Sequence, residues 1–257
     1  MKKVFIAAIL IAFVATACSI EEGAENAEAI EATTLPTGGT VSSVTSSELT
    51  GIASILTGAT YINGTIYAVG VPSDQPTLAY YLFAINPSAG TVKGYPFSEI
   101  SDSTVKELGS QDKYSVVSGG SDLIIQNVTM LPVDRTTLKV TSEYANGCEE
   151  RNIVKVGNEF RSYLANTLVT CDSSGTQLTR STMSDSFYGV VGTDGQSLYH
   201  LERGELTVHD LADMSSTSEI VVSPTTYEPG GVAVGGGKIY VLIYSGGTTL
   251  LKAYDVE

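Results

Sequence analysis

A short unit recurs along this chain roughly every forty residues, and it constrains the fold more than any other feature. The unit is a short strand, a tight turn, a second strand with a bulky apolar pair, and a third strand. Clear second strands are 65–69 (TIYAV), 197–201 (SLYHL) and 238–242 (KIYVL), with weaker copies at 122–125 and 159–163. Their first bulky residues are Ile66, Leu123, Phe160, Leu198 and Ile239, at intervals of 57, 37, 38 and 41 residues. The long interval implies an insertion around residues 94–110, where 103–108 is the best candidate for a helix. Third strands fall at 81–85, 206–210 and 251–255.

Between these runs lie Asn-Gly, Gly-Gly, Asp-Gly and Pro-Ser-Ala-Gly, which form turns because they tolerate positive φ. Short, β-branched and aromatic runs at regular spacing predict an all-β fold. A period near forty matches the four-stranded blade of a β-propeller, so about five four-stranded blades are expected over residues 48–257. Inner strands are predicted at 58–62, 114–118, 152–156, 187–191 and 230–234. The last repeat stops at Glu257 after its third strand, so residues 49–56 are expected to supply its outer strand and close the ring. The repeats resemble β-propellers of the bacterial envelope, broadly of quinoprotein-type and NHL-like blades, without tryptophan-docking or WD signatures. The Ile-Tyr and Leu-Tyr pairs alternate faces on a strand and are read as packing between blades rather than as a binding ring.

The first twenty residues follow another logic. Lys2 and Lys3 precede a twelve-residue run without a polar side chain, from Val4 to Ala15, and then Thr16, Ala17 and Cys18. A basic start, a short apolar core and small residues make an export signal, too short to span a bilayer. Ala15-Thr16-Ala17-Cys18 resembles the lipobox of bacterial lipoproteins, with Ala15 or Val14 where leucine is common. The resemblance implies a signal peptide over 1–17, acylation of Cys18 and attachment to the membrane of the cell envelope. Ser19, being other than Asp, implies the outer membrane by resemblance to enteric lipoproteins, with the domain on the periplasmic or the surface face. Residues 18–47 read as a flexible tether: five glutamates fall within 21–31, and no Lys or Arg stands between Lys3 and Lys93.

Cys148 and Cys171 remain once Cys18 is set aside. In an oxidising compartment they have one possible pairing, and a disulfide is expected. The repeat places Cys148 before the inner strand of the third unit and Cys171 at the end of its third strand. His200 and His209 are the two histidines; they have no third metal ligand and no nucleophile elbow, so neither zinc nor a triad is expected. No cofactor is implied.

The predicted inner strands hold no Asp or Glu, which argues against a glycosidase built on them. Just before those strands, Asp112, Glu149 and Glu228 each stand eleven residues ahead of a marker, and Asp185 thirteen. With Tyr114, Tyr188 and Tyr227 beside them, these acids form a candidate ring at one channel mouth, suited to a cation, a basic peptide or a sugar. Asp194, in Gly192-Thr193-Asp194-Gly195, is read as part of a hairpin turn.

The formal charge is −14, from 28 acidic and 14 basic residues, which excludes the basic footprint of a nucleic-acid binder. Loss of Lys2 and Lys3 with the signal gives −16. Six glutamates between Glu21 and Thr50 account for −6, leaving −10 on the β domain. The sequence therefore predicts an envelope lipoprotein whose propeller acts as a protein-interaction, scaffold or adhesion module with an envelope or surface partner. The alternatives are an enzyme acting on glycans or lactones at the channel mouth, and a structural surface protein.

Overall fold

The computed structural model describes residues 28–30, 44–49, 51–73, 80–101, 114–119, 122–126, 129–144, 148, 152–221, 228–245 and 248–255. The candidate residues Cys18, Asp112, Glu149 and Tyr227, the predicted helix at 103–108 and the signal peptide lie outside them. The chain forms a five-bladed β-propeller of antiparallel sheets.

Two short strands come first, β1 (Glu28–Ile30) and β2 (Val44–Leu49). Blade 1 is β3 (Ile52–Ile62), β4 (Thr65–Pro72), β5 (Tyr81–Asn86) and β6 (Thr91–Pro96), followed by a single helical turn, α1 (Phe97–Ile100). Blade 2 is β7 (Ser115–Ser118), β8 (Leu123–Gln126), β9 (Met130–Asp134) and β10 (Lys139–Val140). Blade 3 is β11 (Ile153–Val156), β12 (Glu159–Cys171) and β13 (Gln177–Phe187). Blade 4 is β14 (Val190–Thr193), β15 (Ser197–Glu202), β16 (Glu205–Asp210) and β17 (Ser216–Val221). Blade 5 is β18 (Glu228–Gly235), β19 (Lys238–Ser245) and β20 (Thr248–Asp255), completed by β2 and β1. The inner strands β3, β7, β11, β14 and β18 neighbour one another in that order and close into a ring.

All five repeat markers fall on second strands, β4, β8, β12, β15 and β19. Three details differ from the sequence reading. Ring closure is made by β2, which pairs antiparallel with β20 so that Val44 faces Tyr254 and Leu49 faces Thr249. The strand is thus 44–49 rather than 49–56, because Gly51, at φ +88°, turns the chain and Ile52 opens blade 1 instead. Blade 3 has three strands among the described residues, not four. Its second strand runs thirteen residues, so Cys171 ends β12 and not a third strand.

Each pair of neighbouring blades encloses one apolar cluster, and strand alternation divides the residues between them. Val116 faces blade 1 while Val117 faces blade 3; Ile153 faces blade 2 while Val154 faces blade 4. Val190 joins the cluster with blade 5, and Val191 the one with blade 3. The tyrosines of the repeated pairs are core, as expected: Tyr199 and Tyr240 are buried between blades, and Tyr67 packs at the edge of the blade 1–2 cluster. Glycine is required where inner strands touch. A Cβ on Gly192 would stand 2.5 Å from the Val232 carbonyl oxygen, and one on Gly235 would enter the Tyr61 ring.

The Cys148–Cys171 disulfide forms across 23 positions. It ties the segment before β11 to the end of β12 within the blade 2–3 cluster. Gln126 Nε2 donates to the Cys148 carbonyl at 2.6 Å, which fastens the same point to blade 2.

Candidate functional site

The five inner strands converge on a cavity of about 380 Å³. Each contributes its later residues: Thr60 and Tyr61 from β3, Val117 and Ser118 from β7, Val154 and Lys155 from β11, Gly192 and Thr193 from β14, and Val232 and Val234 from β18. The turns after β11 and β14 add Gly157, Asp194 and Gly195. This is the mouth at which inner strands leave for second strands. The candidate acid ring was drawn at the opposite mouth, where chains arrive.

The geometry follows from local sequence. Asp194 caps its turn: Oδ1 accepts from the Gln196 and Ser197 amides at 2.8 and 2.7 Å, and Oδ2 accepts from the Tyr199 hydroxyl at 2.9 Å. Burial of Tyr199, reinforced by this carboxylate, pushes its phenol above the ordinary range. Thr193 Oγ1 donates to the Ser197 carbonyl at 2.7 Å and accepts from the Gly195 amide at 2.9 Å. These bonds make Gly192–Gly195 a fixed hairpin turn, as the sequence indicated. Across the mouth, Lys155 Nζ donates to the Gly119 carbonyl at 2.8 Å and lies 5.9 Å from the Phe160 ring centre. Tyr61 stacks on Tyr240, with ring centres 5.6 Å apart and planes inclined by 10°. Lys155 and Asp194 are the lining side chains that carry charge, and each is bonded within the protein. The rest of the wall is hydroxyl, backbone, aliphatic and one tyrosine, a surface suited to holding a small polar molecule or a peptide turn.

The remaining sequence candidates are dispersed. Tyr114 is buried between blades 1 and 2, edge-on to Phe97 at 5.0 Å and tilted against Tyr80 at 5.5 Å. Asp185 lies exposed on β13. Tyr188, just after β13, is 68% exposed. Glu228 opens β18 opposite Tyr244, and its side chain lies outside the described residues. Among the described residues no three of His, Cys, Asp and Glu gather as metal ligands would. The sequence reading missed Tyr61 and Lys155, since nothing in their local pattern separates a channel residue from any other strand residue.

The two histidines meet between blades 3 and 4. His200 on β15 and His209 on β16 lie 4.8 and 5.1 Å from the Phe187 ring centre and 6.2 Å from each other. The Gly189 amide donates to His200 Nε2 at 3.4 Å, which requires a neutral ring with its proton on Nδ1. Burial, with His209 adding to it, pushes the His200 imidazole down to about 4. His209 is lowered too, chiefly by burial, against the opposing pull of the Met214 carbonyl and Asp185.

No protein-family model matches the chain, and no curated protein sequence does. Solved structures share its fold. A glutaminyl cyclase from Myxococcus xanthus matches with a TM-score of 0.59 at 11% identity, over 82% of this chain and 94% of that one. A gluconolactonase from Xanthomonas campestris matches with a TM-score of 0.53 at 10% identity, over 91% of this chain and 99% of that one. At such identities the likeness establishes the propeller and leaves the chemistry of its mouth to the residues described above.

Proposed function

We propose that this chain is an envelope lipoprotein, acylated at Cys18, whose propeller is a binding module that receives its ligand at the mouth formed by the inner-strand ends. The observation that carries this reading is the state of Lys155 and Asp194. Both charged groups of the cavity wall hold turns and strands in place, so the wall offers shape and hydrogen bonds rather than a proton donor or acceptor poised for turnover. The cavity suits a small polar molecule or the turn of a partner protein, and Tyr61, stacked on Tyr240, supplies a rigid apolar wall for it. Residues 18–27, with Glu21, Glu22 and Glu25 ahead of β1, would hold the propeller away from an anionic bilayer.

The test is a photo-crosslinking amino acid at Thr60 in living cells, beside a control at Ser174, an exposed turn far along the sequence. A discrete adduct from Thr60 alone supports the reading. Equal labelling from both positions, or none, refutes it. Cys18→Ala should move the protein from the membrane to the soluble fraction and abolish labelling by an alkyne fatty acid; retention on the membrane would remove the anchor.

A second reading, an enzyme acting on lactones or glycans, draws on the fold shared with a gluconolactonase. Incubation of the purified protein with glucono-δ-lactone and divalent cations, followed by acid release, distinguishes the two. Hydrolysis lost on Asp194→Asn would favour the enzyme.

A further inference from the structure

The cavity at the inner-strand ends has two unlike halves. Blades 3 and 4, whose inner strands are neighbours in the ring, bring its two charged side chains, Lys155 from β11 and Asp194 just after β14. Blades 5 and 1, also neighbours, bring Val234 from β18 and Tyr61 from β3. These two stay half-buried, packed at the edges of the clusters their blades share.

The two charges do not pair with each other. Each is only partly used within the protein. Lys155 gives one of its three N–H groups to the Gly119 carbonyl, and among the described residues no carboxylate meets it. Asp194 Oδ1 accepts two turn amides, whereas Oδ2 accepts the Tyr199 hydroxyl alone and keeps a lone pair. The same bonds hold both groups in place, so neither has to be ordered when a ligand arrives.

Charge balance narrows the ligand. Lys155 and Asp194 cancel, so the wall is neutral within a chain of charge −14. A polyanion would meet one ammonium group and the repulsion of the whole surface, and a simple cation would meet Lys155. A molecule that bears one charge of each sign on a single carbon meets both groups with charge-assisted hydrogen bonds. An apolar body on that molecule covers the other half of the wall.

We propose that the mouth binds a free α-amino acid with an apolar side chain. Its carboxylate takes Lys155 Nζ, its ammonium takes Asp194 Oδ2, and its side chain lies toward Tyr61 and Val234. The proposal rests on the reading of this mouth as a binding site. A peptide splits the two charges between its ends, and a cavity of about 380 Å³ stands near the lower bound of small-molecule sites, so the free amino acid fits better.

The test is equilibrium dialysis of the full chain, in detergent micelles as cells produce it, against radiolabelled L-leucine, L-methionine and L-phenylalanine in turn. At least one of them is expected to bind, with one site per chain. N-acetylation, which removes the ammonium, and amidation of the carboxylate should each weaken that amino acid at least about tenfold as a competitor. Glycine, which has no side chain to reach Tyr61 and Val234, should compete weakly too. In Lys155→Met the amino acid should bind no better than its amide binds the wild-type protein, while the amide's own affinity changes far less. That comparison separates a lost contact from a lost fold. Binding by none of the three, derivatives that compete as well as the parent, or full affinity in Lys155→Met would overturn the proposal. A Thr60 adduct in cells beside a failed titration would overturn it and leave the binding-module reading standing.

Discussion

Replacing His200 by glutamine should remove most of a steep acid sensitivity from this propeller. His200 is 7% exposed at the blade 3–4 interface, against Phe187 and beside His209. Its nearest acid is Glu202, 3.8 Å from Nε2 and only partly buried, which leaves the imidazole pushed down to about 4 from 6.5. An unfolded chain therefore binds a proton on this ring between pH 6.5 and about 4 that the folded chain refuses. The neutral ring's contribution is complete above pH 6.5 and is lost as pH falls toward 4. At about 1.4 kcal/mol for each pH unit, that interval amounts to about 3 kcal/mol. Glutamine accepts the Gly189 amide bond but does not titrate in this range. Urea unfolding at steps from pH 7 to pH 4, followed by tyrosine fluorescence because the chain has 14 tyrosines and no tryptophan, reads the difference directly. Wild type should lose about 3 kcal/mol more than His200→Gln across the interval, with carboxylate titration common to both. Parallel pH profiles for the two proteins would falsify the assignment of acid sensitivity to this ring.

Reduction of the Cys148–Cys171 bond frees a loop closed across 23 positions and should lower stability by about 3 kcal/mol on chain-entropy grounds, seen as a drop in Tm with mild thiol. Gly192→Ala drives a methyl group toward the Val232 carbonyl and should destabilise the ring by about 2 kcal/mol, measured by urea midpoint. Asp194→Ala removes the acceptor for two turn amides and the Tyr199 hydroxyl and should cost about 2 kcal/mol or more, whereas Asp194→Asn should recover part of it, since its amide oxygen still accepts.

The blade pattern was legible because period-2 alternation and turn dipeptides act locally. Ile66, Leu123, Phe160, Leu198 and Ile239 mark second strands since each must enter the cluster between two blades, whatever else the sequence does. Where the strand bounds differ, a local signal outweighs the repeat period. Residues 159–171 contain no glycine or proline, so the break the period called for is only a kink at Ala165, φ +49°, and β12 continues to Cys171 as one element. The closing strand was misplaced although Gly51 sits in the proposed segment and turns there. The cavity wall was illegible in principle. Thr60, Tyr61 and Val232 are ordinary strand residues until five strands from distant parts of the chain set them side by side. Tyr114 shows the converse: its position before an inner strand suggested a mouth, while the aromatic neighbours Tyr80 and Phe97, from another blade, draw it into the core.

Pairing of β2 with β20 also sets a timetable. Leu49 faces Thr249, two hundred positions later, so a strand at the start of the domain waits for the last one before the ring can close. Blades 1 to 4 have their own strands in hand as they emerge, and their hairpins form early; the ring seals by a late capture of its oldest strand, a slow step in any fold ruled by distant contacts. Throughout the delay β2 has only the three-residue β1 to pair with. Glu48, which stays exposed in the finished blade, gives the waiting strand a charge that keeps it from pairing with its counterpart on a neighbouring unfolded chain.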